Sequence, residues 1–289
     1  MAPKILLVGN CQVRPIACLL ERLNIIEEAQ TIIVHLAKDS EYKEHENLLD
    51  RADIIVSQKI QDNYPCQTVR SSTIQEKYSH KTIFIPNLFY KGYTPDLRYL
   101  RLKQQGTLNG PLGDYHSSII LNCWKDGKSI EDTIRMYRSA KIWNERYRDA
   151  AQNSLSEYRR REEQLDIKLT KFIEKNLANQ QLFFTFNHPS KALISKLVEK
   201  IASQLTLKST GNSLAQLTEP LDRFQVPIHP FIQRQLELKF DGPTKFIGVG
   251  IKKNNSTERK SYRLKRLVIL FFEHYNQNRQ KIMEQGVWK

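Results

Sequence analysis

Four consecutive apolar residues, Ile5-Leu-Leu-Val8, open the chain after a polar start. The run is too short for a helix and lacks polar alternation, as expected of a strand covered on both faces. Gly9-Asn10 then break it with two residues that tolerate a tight turn. Val13, Ile16, Ala17, Leu19, Leu20 and Leu23 follow at helical spacing. Further strands are predicted at Thr31–His35, Asp53–Val56 and Thr82–Ile85. A polar, helix-like stretch at 41–51 lies between the first two. The second and third of these strands end in Ser57-Gln58 and Pro86-Asn87. This rhythm predicts an α/β fold: a doubly wound, mainly parallel sheet of about four or five strands with helices on both faces.

From residue 86 to 116 the pattern changes. Pro86, Gly92, Pro95, Gly106, Gly110, Pro111 and Gly113 punctuate it, with Phe89, Tyr90, Tyr93 and Tyr99 between. A connection of that length is usually functional or disordered, and the aromatics favour an ordered lid or pocket wall. Ile119–Trp124 reads as strand or buried helix. Ser129 with Asp132 marks a helix start. Apolar positions from Trp143 to Leu177 recur mostly every three or four residues. They fit one long helical arm through which the chain could form a homo-oligomer, a broken hairpin, or two ordinary helices. The dense charge at 157–163 is expected to project into solvent. Leu182–Phe186 is a late strand ending in Asn187-His-Pro-Ser190, where Ser190 can cap a helix over Lys191–Leu205. The expected organisation is one α/β domain over 1–205, with a helical insertion at about 141–180, and a C-terminal extension over 206–289 packed on the core. That extension ends in a basic amphipathic helix, about 262–277.

Composition narrows the functions. Lys and Arg number 45 against 31 Asp and Glu, a net charge of +14. Such a surface favours polyanions: nucleic acid, anionic lipid, phosphorylated cofactors or acidic glycans. No arginine-rich arm, zinc-finger spacing or aromatic RNA-binding signature is present, so nucleic acid is disfavoured. Cys11, Cys18, Cys66 and Cys123 contain no CxxC pair, so no metal site is expected. The first residues lack the pattern of a secretory signal, and no apolar run reaches spanning length. The expectation is reduced thiols and a cytoplasmic location, peripheral to the inner membrane if the basic helix docks there.

Candidate chemistry gathers at the strand ends. Gly9-Asn-Cys-Gln12, Ser57-Gln58, Gly113-Asp-Tyr-His-Ser117 and Asn187-His-Pro-Ser190 supply a thiol, two imidazoles, carboxamides and hydroxyls. Carboxyl ends of parallel strands share one rim, so these segments can converge. Cys11, at a helix N-terminus, is a candidate nucleophile or sulfur neighbour, and also simply a small buried residue. His116 and His188 are candidate bases, with a structural hydrogen-bonding role as the alternative for each. Gln12 and Gln58 can donate to an oxyanion or cap a helix or turn. Asp114 suits a turn better than orienting its near neighbour His116. His35 and His45 read as structural or solvated.

Several of these blocks resemble the WcbI family of polysaccharide biosynthesis proteins. They are Gly9-Asn-Cys-Gln12, Asp53-Ile-Ile-Val-Ser-Gln58 with Asp62 and Tyr64, Pro86 to Asp96, Gly113-Asp-Tyr-His-Ser117 and Phe184-Thr-Phe-Asn-His-Pro-Ser190. The resemblance covers most of 4–205, and it is the order of the blocks that makes it specific. It implies a fold related to SGNH-type hydrolases, coenzyme A or acetyl-coenzyme A as ligand, and an acetyltransferase role in making capsular or other surface glycans. It departs from the SGNH pattern by placing Cys11 where that pattern has a catalytic Ser, and it lacks a clear Asp-x-x-His block.

Taken together, the expected site has Cys11, His116 and His188 as chemical groups. Gly9, Asn10, Gln12, Arg14, Ser57 and Gln58 hold the coenzyme, with Lys59 as a further cation. Tyr90, Tyr93, Asp114 and Tyr115 contact a sugar or glycan intermediate. Direct attack of a sugar hydroxyl on the thioester is preferred over an acyl group carried on Cys11. A thiol-dependent esterase or thioesterase, and a non-catalytic component of a glycan assembly complex, are the competing functions.

Overall fold

The structure is a computed structural model and describes residues 2–103, 106–207, 218–251 and 257–288. The first elements in chain order are β1 (Lys4–Gly9), α1 (Val13–Arg22), β2 (Glu28–Ile33), α2 (Tyr42–Arg51), β3 (Ile54–Gln58), α3 (Ser71–Tyr78) and β4 (Thr82–Ile85). Then come β5 (Leu97–Leu102), β6 (Gly106–Thr107), β7 (Tyr115–Ser117), α4 (Ser118–Lys125), α5 (Ile130–Arg138), α6 (Ala140–Tyr147), α7 (Ala150–Glu162) and α8 (Thr170–Asn176). The last are β8 (Phe183–Thr185), β9 (His188–Pro189), α9 (Lys191–Gln204), α10 (Pro230–Gln235), β10 (Phe246–Ile251), β11 (Thr257–Tyr262), α11 (Leu264–Gln277), α12 (Arg279–Gln285) and β12 (Gly286–Trp288). Two units share the chain in alternating stretches. Residues 1–89, 155–176 and 187–221 build the first; 90–154, 177–186 and 222–289 build the second.

The first unit is a mixed α/β structure on a parallel sheet of four strands, in the order β2-β1-β3-β4. Ile5 pairs with Ile54 and Val8 with Ser57, so the carboxyl ends of β1 and β3 lie side by side. Side chains alternate across the sheet. Leu6, Val8 and Ile55 pack in one apolar cluster with Leu49 of α2 and Ile74 and Tyr78 of α3. Helix α1 packs on β1 and β2 and against α9. Its buried positions are Val13, Ile16, Ala17, Leu19 and Leu20, the stripe legible in the sequence.

Beside β4, the segment joining α7 to α8 is held by a backbone clasp. Phe84 N donates to Asp166 Oδ2 at 2.6 Å, and the Phe84 carbonyl accepts from Asp166 N at 3.1 Å. At the end of α7 the buried Glu162 carboxylate accepts from Leu169 N, from Thr170 N at 3.0 Å and from the Thr170 hydroxyl at 2.6 Å. A carboxylate at a helix N-terminus satisfies amides that the helix cannot. The last turn of α7 is thereby anchored to the first turn of α8.

The second unit centres on β5, which pairs antiparallel with β6, β7 and β12. Helices α4, α5 and α11 pack on one another. Ser117 caps α4 through Ile120 N and Ser129 caps α5 through Asp132 N, the latter as its sequence predicts. Trp143 stacks on His229 with ring centroids 4.1 Å apart. Asp96 is buried and accepts from Ile119 N and Tyr147 Oη, both at 2.9 Å; burial raises its pKa above the usual carboxylate range. Gly113 adopts φ of 62°, and a Cβ there would meet the Phe224 ring at 2.5 Å. Glycine suits this turn for both reasons.

Three open expectations are decided here. The helical pattern of 142–179 divides among α6, α7 and α8 rather than forming one arm. Ile119–Trp124 lies within helix α4. The turn-rich stretch after Pro86 is ordered, but Tyr90 and Tyr93 are only 2% and 1% exposed and stand edge to face in the core of the second unit. Residues 222–289 contribute α10, α11 and the edge strand β12 to that same unit.

Glu162→Ala would leave two amides and a hydroxyl without their acceptor. Each buried polar group so stranded costs about 1–3 kcal/mol, so urea denaturation should show a loss of at least ~2 kcal/mol. Glu162→Gln, which keeps one acceptor oxygen, should lose less.

Candidate functional site

Strand order sets where a ligand can bind in the first unit. Connections from β1 and β3 leave in opposite directions, β1 to β2 on one side and β3 to β4 on the other. A crevice opens outside the carboxyl ends of such strands. At that position lies a cleft of about 750 Å³, within the range of cofactor sites. Asn10 after β1, Gln58 to Asp62 from β3, Pro86 and Asn87 after β4, and the last turns of α7 line it.

The rim of the cleft is fixed by two buried carboxamides. Gln12 Oε1 accepts from Leu88 N and from Gln58 Nε2, each at 3.0 Å. Gln12 Nε2 donates to the Leu88 carbonyl at 2.8 Å and the Asn187 carbonyl at 2.9 Å. Gln58 Oε1 accepts from Asn10 N at 2.9 Å. Asn10 Oδ1 accepts from Gln12 N at 2.9 Å, and its Nδ2 donates to Asn87 Oδ1 at 3.1 Å. Every hydrogen-bonding position of the Gln12 amide is thus engaged. Gln12 stands at the N-cap position of α1 without capping it through its side chain. Instead it joins the loops after β1 and β4 to the segment that begins at Asn187. Gly9 is required beside it: a Cβ there would lie 2.7 Å from both Gln58 Oε1 and Val13 Cγ1.

Cys11 is half-buried between Asn10 and Gln12, at the start of α1, and is in no disulfide. Arg14 is exposed one residue into the helix. Ser57 is buried and donates to the Gln58 carbonyl at 2.9 Å. His188 follows Asn187 directly, and desolvation lowers its pKa to about 4. Ser190, expected as a cap, occupies the cap position of α9 but makes no side-chain cap; Glu219 Oε2 accepts from Lys191 N at 2.7 Å instead.

The remaining sequence candidates belong to the second unit. His116 is fully buried, with Nε2 2.7 Å from the Leu108 carbonyl and Nδ1 3.0 Å from Tyr275 Oη. A carbonyl can only accept, so Nε2 carries the proton and the tyrosine hydroxyl donates to Nδ1. Desolvation lowers its pKa to about 4 as well. With both nitrogens engaged, this ring is a structural hydrogen-bonder, the alternative that its sequence allowed. Tyr115 is buried against Phe186 and Tyr99, and Asp114 is an exposed turn residue.

Residues not selected from sequence complete the cleft. Arg160 and Arg161 of α7 line it, as does Lys59, and Glu157 organises both guanidinium groups. Glu157 accepts from Arg160 Nε and NH2, both at 2.8 Å, and from Arg161 Nε at 2.7 Å. These bonds hold the Glu157 pKa down at about 2. Tyr158 is buried at the same wall, its phenol kept protonated by burial and by the nearby Glu162 carboxylate. The spacing of Glu157, Arg160 and Arg161 signals mutual pairing on a helix, but not which way the helix faces.

A cleft at the switch point of a parallel α/β sheet, lined by three cations and three carboxylates, is where an α/β protein of this topology presents a ligand site. The family described as the polysaccharide biosynthesis enzyme WcbI matches residues 4–210, and the chain belongs to that family. A solved structure described as "Structural insights into WcbI, a novel polysaccharide biosynthesis enzyme" superposes with a TM-score of 0.72 at 17% identity, covering 98% of this chain and 97% of the other. Its description specifies the native protein without a disulfide bond between coenzyme A and one of its cysteines. At that identity the likeness establishes the shared fold. Among curated proteins none matches the chain.

Two outcomes follow from this geometry. Gln12→Ala removes the shared acceptor and donor of four hydrogen bonds and should cost at least ~2 kcal/mol in urea denaturation. The buried histidines make stability fall in acid. Native His116 and His188 stay neutral down to about 4, whereas unfolded ones take up protons near 6.5. Between those values the unfolded chain binds more protons, so unfolding free energy should decline as pH drops from about 6.5 to about 4. A pH series of denaturation curves, with His116→Phe as comparison, measures the slope.

Proposed function

We propose that the chain is a coenzyme A-dependent acetyltransferase acting on a sugar hydroxyl during the biosynthesis of a capsular or other surface polysaccharide. The observation that carries this reading is the cleft at the β1/β3 switch point. Lys59, Arg160 and Arg161 are in its lining, and a thiol and a neutral imidazole lie on the loops that Gln12 joins. In this reading the sheet is doubly wound and related to SGNH-type hydrolases. Membership of the WcbI family and the coenzyme A named for the structural neighbour support the ligand.

The residues suit such a ligand. Coenzyme A presents a diphosphate and a 3′-phosphate, which need fixed cations. Lys59, Arg160 and Arg161 supply them, and Glu157 orients the arginines before any ligand arrives. The pantetheine arm would run toward Asn10 and bring its sulfur near Cys11. His188 is the base in this reading because Gln12 ties its neighbour Asn187 to the loop bearing Cys11, and desolvation keeps its imidazole unprotonated. The sugar hydroxyl gives its proton to His188 and attacks the thioester carbonyl. The carbon–sulfur bond breaks, and the departing thiolate takes the proton back from His188. Cys11 lines the sulfur position in this route. Transfer through an acyl group on Cys11 gains little driving force, because one thioester would merely replace another.

Titration calorimetry with coenzyme A tests the reading. Saturable binding is expected, weakened at least about tenfold in Lys59→Ala/Arg160→Ala/Arg161→Ala and retained in His188→Ala, which should lose transfer instead. Hydrolysis of a chromogenic acetyl ester without coenzyme binding would favour an esterase and overturn the proposal. Absence of both would favour a non-catalytic component.

A further inference from the structure

A concentration of positive charge lies in the second unit, on residues with no part in the site assigned above. Strand β11 and the start of α11 carry Arg259, Lys260, Arg263, Lys265 and Arg266, all exposed, with Glu258 as the one acidic residue among positions 257–266. Two of the cations have partners: Arg259 meets Asp222 at 2.9 Å, and Lys260 stands 3.9 Å from Glu258. Arg263, Lys265 and Arg266 occupy the N-cap and first turn of α11, a turn without an acidic residue. The positive end of a helix dipole favours acidic side chains and disfavours these three. Helix stability therefore does not explain their position.

The same helix shows what the cations accompany. Leu267, Val268, Phe271 and Tyr275 turn inward and are buried. Lys265, Ile269 and Phe272 follow one another at spacings of four and three on another side, and Ile269 and Phe272 remain half-exposed. Exposed lysine and arginine next to apolar and aromatic side chains match the interface of an anionic bilayer. Phosphate headgroups there take the cations, and the acyl boundary takes the apolar groups. A soluble polyanion would use the cations alone. No described helix is long and apolar enough to cross a membrane, so any such contact is a surface contact.

We propose that the β11–α11 surface docks this protein on an anionic membrane face, with Arg263, Lys265 and Arg266 as the principal contacts and Ile269 and Phe272 beside them. Docking of this kind would hold the protein where lipid-linked sugar intermediates are exposed.

Co-sedimentation of the full chain with phosphatidylcholine vesicles, with and without phosphatidylglycerol, tests this. Binding is expected only to the anionic vesicles and should fade as salt is raised. The triple variant Arg263→Glu/Lys265→Glu/Arg266→Glu should lose binding at least about tenfold. Glutamates are favourable at a helix N-terminus, so the variant should keep or raise its thermal midpoint and leave coenzyme binding unchanged. Misfolding therefore cannot account for the loss. Equal vesicle binding by native and variant chains, or no binding by the native chain at low salt, overturns the proposal. So does capture by a soluble anionic polysaccharide with no affinity for vesicles, which would assign the surface to a glycan.

Discussion

Two glutamine side chains, Gln12 and Gln58, carry the constraint on which the candidate site depends. The ends of β1, β3 and β4 are separate loops, and nothing in a parallel sheet ties such loops together. The amides do so with short polar bonds in a place where water does not compete. A buried polar network is valuable only when every member is satisfied; half-satisfied, it is worse than an apolar core. Here the Gln12 amide uses both oxygen lone pairs and both N–H groups. That completeness keeps the loop bearing Cys11 and the segment bearing His188 in a fixed relation.

The charges around the cleft are organised by the same logic. Its lining holds three cations and three carboxylates, so formal count predicts no field. Their engagements differ. Glu162 is turned onto the amides of α8, and Glu157 is held between two guanidinium groups. Asp62 is exposed. Glu157 takes two N–H groups of Arg160 and one of Arg161, and so sets the planes of both guanidinium groups.

Much of the first unit was legible because local pattern and global fold agree there. Ile5–Val8, Asp53–Val56 and Thr82–Ile85 are short apolar runs that only a covered strand explains, and each became one. The cleft was half legible. Asn10 and Gln58 announced themselves at strand ends, and the charged stretch at 157–163 is largely solvated as expected, with Arg159, Arg160, Arg161 and Glu163 exposed, but its sequence did not say that it also lines the cleft. Its orientation comes from the clasp between Asp166 and Phe84, a contact across 82 residues that no local pattern encodes. His116 shows the converse: a histidine in a turn-rich stretch looks available until Tyr275, 159 residues later, closes on it. Apart from the helix read at about 262–277, the residues after 206 gave a weak signal, in the case of β12 for a related reason. Strand β12 is three residues long and exists because β5 is there to pair with it.

The alternation of the two units along the chain has a consequence for biogenesis. The polypeptide passes from one unit to the other five times, and the first unit receives its last stretch only at residues 187–221. During synthesis the four-stranded sheet emerges early, yet the partners of α1 and β4 are still inside the ribosome. Neither half can therefore be cut out as a contiguous fragment. Swapping either unit for another as a single contiguous module is closed to such a chain.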